Sequence, residues 1–242
     1  MTLMNKDPRE HDREYYKSVG IQKFMHDETR GEQYAWRRVM RLVEPDSSHS
    51  ILDVGCGLGQ HTFYLAGRCA EAVGIDTSHD AIEFAKKKFQ ADNLRYLCAD
   101  VADVDFGRRF DQAALLSVLE HMTQEQHNRV MEALSRLIVP GGVLNVAVPT
   151  GKTRAARSKL KKRGHDTLDY TGDPMHVRSF TPGELVRDVE RFGFKLEASE
   201  FDYARTLVSG ATLMRIARVC LPLKRLLGGR VLSAYLRFRR KN

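Results

Sequence analysis

The sequence predicts an α/β fold in three αβα layers, a doubly wound, largely parallel sheet covered by helices on both faces, and three observations carry that expectation. Short apolar runs rich in β-branched residues, beginning at 51–54, alternate with longer runs whose apolar residues recur at helical spacing. The first short run ends in Gly55-Cys56-Gly57-Leu58-Gly59, a glycine-rich turn entering a helix near Gln60. Asp53 lies inside that run, and Asp76 ends the next one at 72–76.

The chain is expected to be one domain over residues 1–242, long enough to bury a sizeable core. Residues 1–45 read as a helical cap. Positions 1–20 are polar and contain Tyr15 and Tyr16, while Tyr34, Ala35, Val39 and Leu42 mark an amphipathic helix ending before Pro45. The N-terminus lacks a secretory pattern, and no apolar run approaches the roughly 20 residues that span a bilayer. The expected location is cytoplasmic. Cys56, Cys69, Cys98 and Cys220 form no C-x-x-C pair and sit in apolar contexts, so reduced core cysteines are expected.

Gly55, Gly57 and Gly59 let the backbone adopt positive φ and approach a ligand closely, next to the N–H groups of the following helix. The dinucleotide fingerprint G-x-G-x-x-G needs glycine at position 60, where this chain has Gln60, which argues against a nicotinamide cofactor. Asp53 can accept from a cationic amino group, directly or through water, and Asp76 stands where a ribose diol needs a bidentate acceptor. Together these residues resemble the S-adenosylmethionine-binding motifs of class I methyltransferases, including the small-molecule and ubiquinone-biosynthesis enzymes. The resemblance extends to about position 195. It implies a Rossmann-like sheet of seven strands with the last antiparallel, an N-terminal segment over the cofactor, and S-adenosylmethionine as that cofactor. It further implies contacts from Cys56, His61, Thr62, Thr77, Ser117 and Val118 as well as the loop glycines and acids, with Asp100 and Val101 flanking the adenine. Asp103 and Asp105 compete with Asp100, which is preferred because it ends the apolar run 94–100.

After the glycine loop a helix is expected over 62–69, then one over 81–89 capped by Ser78 and Asp80, with Ile82, Ala85 and Phe89 on its inner face and lysines 86–88 outside. Residues 110–121 supply a strand and the loop at its C-terminal end, where open α/β sheets bind ligands. His121 is the candidate acid or base there, Glu120 a structural partner. The ubiquinone-biosynthesis enzymes have an acid where this chain has Ser117, so the match is closer to the wider family than to them. A helix over 127–137, the turn Val139-Pro140-Gly141-Gly142 and a strand over 143–148 follow. Thr181-Pro182-Gly183-Glu184 caps a helix over 182–192, Gly193 stops it, and strands are expected at 194–201 and 231–239, with 237–241 a solvated basic terminus.

Charge divides the chain. Of 39 basic residues, seven fall in 152–163 and ten after Asp202, neither stretch containing an acid, which leaves 22 bases against 31 acids elsewhere. The reading is a cofactor-binding half at 46–148, a basic insertion at 149–180 near the site mouth, and a substrate-side half at 181–242 with a basic amphipathic tail. Segments 152–163 and 205–241 could hold an anionic acceptor or lie on an anionic membrane surface, placing the protein peripherally on the inner face. His165, Asp166, Asp169, Asp173 and His176 match no ligand spacing, so no metal site is expected, and His176 is kept as a second substrate contact. The expected activity is methyl transfer to O or N of a small apolar or anionic acceptor: a lipid, a quinone precursor or a lipid-linked saccharide. The alternatives are nucleic-acid methylation, which the net charge of +8 permits but no appended RNA-binding module supports, and a cofactor-binding protein without turnover, which the intact acid–glycine–acid set opposes. Oligomeric state is not legible.

Overall fold

The computed structural model describes residues 37, 39–150, 176–203 and 231–242, with backbone alone at 201–203 and 231–232. Its strands are β1 (Ser50–Val54), β2 (Glu71–Asp76), β3 (Leu94–Cys98), β4 (Phe110–Leu116), β5 (Ile138–Pro149), β6 (Phe194–Tyr203) and β7 (Val231–Arg240). They form one sheet in the order β3-β2-β1-β4-β5-β7-β6. The first five are parallel, and β7 runs antiparallel to both neighbours, as the sequence implied. The helices are α1 (Gln60–Ala66), α2 (His79–Lys88), α3 (Gln124–Leu137) and α4 (Pro182–Glu190), with further helical residues at 39–43.

Strand alternation decides which helix covers which face. Leu52, Val54, Val73 and Ile75 point to one side, where Val130, Met131 and Leu134 of α3 and Leu185 and Val189 of α4 meet them. Ile51 and Ala72 point to the other, against Val39, Val43 and Leu65. On that second face α2 packs Ile82 and Ala85 onto Tyr96 of β3. Met131 and Leu134 are fully buried, each contributing about 1.5–3 kcal/mol.

Local chemistry sets the helix starts. Ser78 accepts from the Ala81 N–H, and Thr181 and Glu184 form a reciprocal capping box with Pro182 in the first turn. A second box, Thr123 with Gln126, starts α3 three residues earlier than the apolar spacing alone suggests.

Three expectations need correction. The Val139-Pro140-Gly141-Gly142 segment is not a turn ahead of a strand; it is a bulge within β5, because Phe110 pairs with Ile138 and Gln112 with Val143. A side chain at Gly142 would meet Ile138 at 2.6 Å and the Asp111 carbonyl at 2.7 Å, so only glycine fits. Basic residues 237–240 are not a solvated terminus but part of β7. Arg237 donates to the Leu42 and Val43 carbonyls at 3.0 and 3.3 Å and pairs with Glu44 and Glu197, Arg239 pairs with Glu197 at 2.6 Å, and Arg240 bonds the Ile138 carbonyl. Nor are all the cysteines core residues: Cys69 is buried, Cys56 half-buried and Cys98 exposed. Cys220 and the segments 1–36, 151–175 and 204–230 lie outside the described residues, and with them Tyr15, Tyr16, His165, Asp166, Asp169, Asp173, the whole run 152–163 and most of the tail.

Candidate functional site

Strand order reverses between β1 and β4, and the loops that leave these two strands meet there. After β1 the chain turns sharply: the Gly55 and Cys56 N–H groups both donate to the Ile75 carbonyl, at 2.8 and 3.1 Å. Gly55, Gly57 and Gly59 take φ of 71, 51 and 80°, which other residues adopt only at a cost. Room is as scarce as conformation. A Cβ on Gly55 would lie 2.5 Å from Val118 in the loop after β4, and one on Gly59 would lie 2.6 Å from Ala85 and 2.8 Å from the Tyr96 ring. Below the loop, Gly74 of β2 makes space for Cys56, Thr62 and Tyr96, and the Tyr96 hydroxyl donates to the Gly59 carbonyl at 2.8 Å. Gly74 and Tyr96 therefore shape the loop although nothing in the local motif points to them.

Two carboxylates sit beneath this turn. Asp53 is buried and accepts from the Thr62 hydroxyl at 2.7 Å. Burial pushes its pKa up to about 6, the Thr62 bond opposing and the charge of Asp76 adding to the rise. Asp76 accepts from Gly57 N–H at 2.8 Å and Ser78 N–H at 2.9 Å; burial raises its pKa against the pull of these bonds. Asp76 thus fixes the glycine loop to the end of β2 while standing at its mouth. His61 and Thr77 are exposed beside the loop, and burial raises the Cys56 thiol, which leaves it protonated.

At the end of β3, Asp100 accepts from the Ala102 N–H at 2.9 Å and Val101 is buried below it. Arg129 bridges Asp100 and its competitor Asp103, at 3.4 and 2.6 Å, and the other competitor, Asp105, accepts from Gly107 N–H at 2.8 Å.

The loop after β4 forms the opposite wall. Ser117 has φ of 58°, a left-handed conformation uncommon outside glycine, and its N–H donates to the Ala147 carbonyl at 2.8 Å. This turn carries the chain into the short 3₁₀ segment Leu119–His121. The Glu120 carbonyl accepts from the Val177 and Arg178 N–H groups at 2.9 and 3.1 Å, which brings His176 onto His121 with ring centroids 4.7 Å apart, edge to face. Burial, and secondarily His121, push the His176 pKa down to about 4. Further support comes from Arg178, which packs over the Phe180 ring and pairs with Asp188 of α4 at 3.2 Å; the fully buried His127 of α3 meets the same carboxylate at 3.0 Å. Burial pushes His127 down to about 4, with Arg178 and Arg191 adding to this and Asp188 opposing.

The sequence-predicted residues gather at the C-terminal ends of the central strands: Asp53, the glycine loop, Thr62 and Asp76 after β1 and β2, and Ser117, Val118 and His121 after β4, where Val118 lies against Gly55 and His121 against His176. The acids of β1 and β2, tied to the glycine loop and its helix, are the groups that could hold the cationic amine and ribose diol of an adenosyl amino acid.

A seven-stranded sheet with one antiparallel strand, a G-x-G-x-G turn at the reversal of strand order and acids on β1 and β2 are features of the class I methyltransferase fold. Residues 51–142 of the chain match the family model of a methyltransferase domain. Its relatives include the cypemycin N-terminal methyltransferase of a Streptomyces species, 29% identical over 139 residues that cover 53% of this chain and 57% of the relative. The ubiquinone biosynthesis O-methyltransferase of Coxiella burnetii is 35% identical over 97 residues, 39% of this chain and 41% of the relative. The matched stretch thus spans between about two fifths and three fifths of these two relatives. Among solved structures, the N-methyltransferase NodS of Bradyrhizobium japonicum in complex with S-adenosyl-L-homocysteine superposes with a TM-score of 0.61 at 15% identity, covering 89% of this chain and 90% of that one, a likeness of fold.

Proposed function

We infer that the protein is an S-adenosylmethionine-dependent methyltransferase acting on O or N of a small apolar or anionic acceptor. The observation that carries this reading is the convergence at the reversal of strand order: a glycine loop packed so closely that no Cβ fits at Gly55 or Gly59, Asp53 and Asp76 tied to that loop and its helix, and the loop after β4 bringing Val118 against Gly55 and His121 against His176. Asp53, Gly55, Cys56, Gly57, Gly59, His61 and Thr62 would hold the amino acid portion, Asp76 and Thr77 the ribose, Asp100 and Val101 the adenine, and Ser117 and Val118 the remaining wall. When bound, S-adenosylmethionine supplies a methyl group on a sulfonium, open to in-line attack. The chain's own contribution is to align the acceptor, an effect that can lower a barrier by up to about 7–11 kcal/mol. Where the acceptor is a hydroxyl, its oxygen takes the methyl and its proton passes to His121, for a further factor of about 10²–10⁴.

The acceptor class rests on other features. The relatives given above are named as an N-terminal methyltransferase and an O-methyltransferase of ubiquinone biosynthesis, which fits a shared cofactor half with a variable acceptor half. Basic residues of 152–163 and 205–230 favour an anionic acceptor or an anionic lipid surface; those of β7 contribute less, because Arg237 and Arg239 are paired with carboxylates.

The test is release of S-adenosyl-L-homocysteine in the presence of acceptor panels made of phenols, amines, carboxylated and phosphorylated small molecules, and extracted lipids. Turnover with the anionic or lipid panels that falls with His121→Ala supports the reading. Turnover confined to RNA would replace it, and no turnover with any panel despite cofactor binding would favour a binding protein.

A further inference from the structure

We propose that Glu120, His121 and His176 form a site for one divalent transition-metal ion, of the Zn²⁺, Fe²⁺ or Mn²⁺ kind, on the acceptor side of the crevice. One ligand atom from each of these residues lies within 4.8 Å of the other two. Tetrahedral bonds of about 2.0–2.2 Å hold ligand atoms about 3.3–3.6 Å apart, so side-chain rotations that draw the three atoms together by up to about 1.5 Å close the set around an ion. The fold already holds the parts in place: Val177 and Arg178 N–H groups bond the Glu120 carbonyl, Phe180 and Leu185 anchor the segment in the core, and Arg178 is tied to Asp188. Glu120 and His176 are buried and His121 half-buried, so two imidazoles and one carboxylate converge where little water competes for them.

Two nitrogens and one oxygen suit borderline ions. Mg²⁺ and Ca²⁺ prefer all-oxygen shells, and a closed structural zinc site would need a fourth protein ligand. Three protein ligands leave positions open to a substrate. The site rests on the methyltransferase reading and revises its proton step: with His121 ligating, the ion in place of His121 would take an acceptor oxygen and ease its deprotonation, favouring a hydroxyl-bearing acceptor. The proton leaves to solvent, the oxygen–methyl bond forms as the carbon–sulfur bond breaks, and the bonding pair stays on sulfur. His121 and His176 are 55 positions apart in sequence, and the backbone bonds between the two segments bring them together.

The test uses the full chain stripped with a chelator and titrated calorimetrically with ZnCl₂, MnCl₂ or MgCl₂, and separately with S-adenosyl-L-homocysteine. One equivalent of Zn²⁺ or Mn²⁺ should bind, with Mg²⁺ far weaker. Glu120→Gln, His121→Gln and His176→Gln should each lower the metal affinity at least about 100-fold, with circular dichroism unchanged and the S-adenosyl-L-homocysteine titration retained. Should the buried substitutions unfold the chain, pulsed electron paramagnetic resonance of the Mn²⁺-loaded wild type gives the answer directly: coupling to two imidazole nitrogens is expected. No stoichiometric binding, binding unaffected by all three substitutions, or Mn²⁺ without nitrogen coupling overturns the site. Metal binding without S-adenosyl-L-homocysteine binding would sink the methyltransferase reading and leave the metal site standing; the converse would do the opposite.

Discussion

Replacing Gly59 by alanine separates the two demands that the glycine loop makes. The residue has φ of 80°, and a left-handed conformation costs a residue with a Cβ about 1–2 kcal/mol. The added Cβ also lies 2.6 Å from Ala85 and 2.8 Å from Tyr96, both fixed in the packing of α2 on β3, so overpacking adds about 1–3 kcal/mol. The expected total is about 2–5 kcal/mol, a large part of the stability of about 5–15 kcal/mol typical of a domain. Gly107 and Gly193 serve as controls: their φ values are 63 and 86°, yet a Cβ on either meets nothing within 4 Å. Gly107→Ala and Gly193→Ala should therefore show the backbone cost alone, about 1–2 kcal/mol. Urea denaturation followed by circular dichroism gives the three values. Equal losses in all three variants would refute the close packing of the loop against α2, and no loss at Gly59 would refute its conformation as well.

Asp53→Asn keeps an acceptor for the Thr62 hydroxyl and removes a buried charge. The folded-state pKa of Asp53 is raised, so the folded chain retains a proton the unfolded chain releases between about pH 4 and 6, and stability falls as pH rises through that range. The variant should exceed wild type by up to about 3 kcal/mol above pH 6, with the difference vanishing below pH 4, while its affinity for S-adenosylmethionine drops; a gain in both would show that Asp53 does not face the cofactor. His127 acts with opposite sign: its folded-state pKa is depressed to about 4, so stability is lost as pH falls from about 6.5 toward 4. In the Asp53→Asn background, urea midpoints should decline over that window, and His127→Gln should flatten the decline; an unchanged slope would mean that His127 is not buried in its neutral form. Arg237→Ala should cost about 1–3 kcal/mol because it strips partners from two backbone carbonyls, whereas Glu197→Ala, which breaks exposed ion pairs, should cost under about 1 kcal/mol. Thermal melts that rank the two the other way would contradict the role of Arg237 in joining β7 to the helical residues 39–43.

What the sequence disclosed and what it withheld follow one physical division. The parallel strands, the glycine turn, Asp53, Asp76 and the capping box at Thr181 were legible because each is written within a few neighbouring residues. Contacts between distant segments were not. The meeting of Glu120 and His121 with His176 depends on two backbone hydrogen bonds across the sheet end. The tightness of Gly74 and Gly59 depends on Tyr96 arriving from β3. Val139-Pro140-Gly141-Gly142 has the composition of a turn and acts as a bulge only because β4 pairs on both sides of it. Basic residues of β7 read as a solvated terminus, since Glu197 and Glu44, which neutralise them, are distant in sequence.

The central claim is that the crevice at the reversal of strand order binds S-adenosylmethionine through the glycine loop and Asp76, and isothermal titration tests it most directly. Wild type and Asp76→Ala would each be titrated with S-adenosylmethionine, S-adenosyl-L-homocysteine and NAD. Binding of the first two at one equivalent, none of the third, and loss of binding in the variant is the expected result. A preference for NAD, or binding of S-adenosylmethionine undiminished by Asp76→Ala, would contradict it.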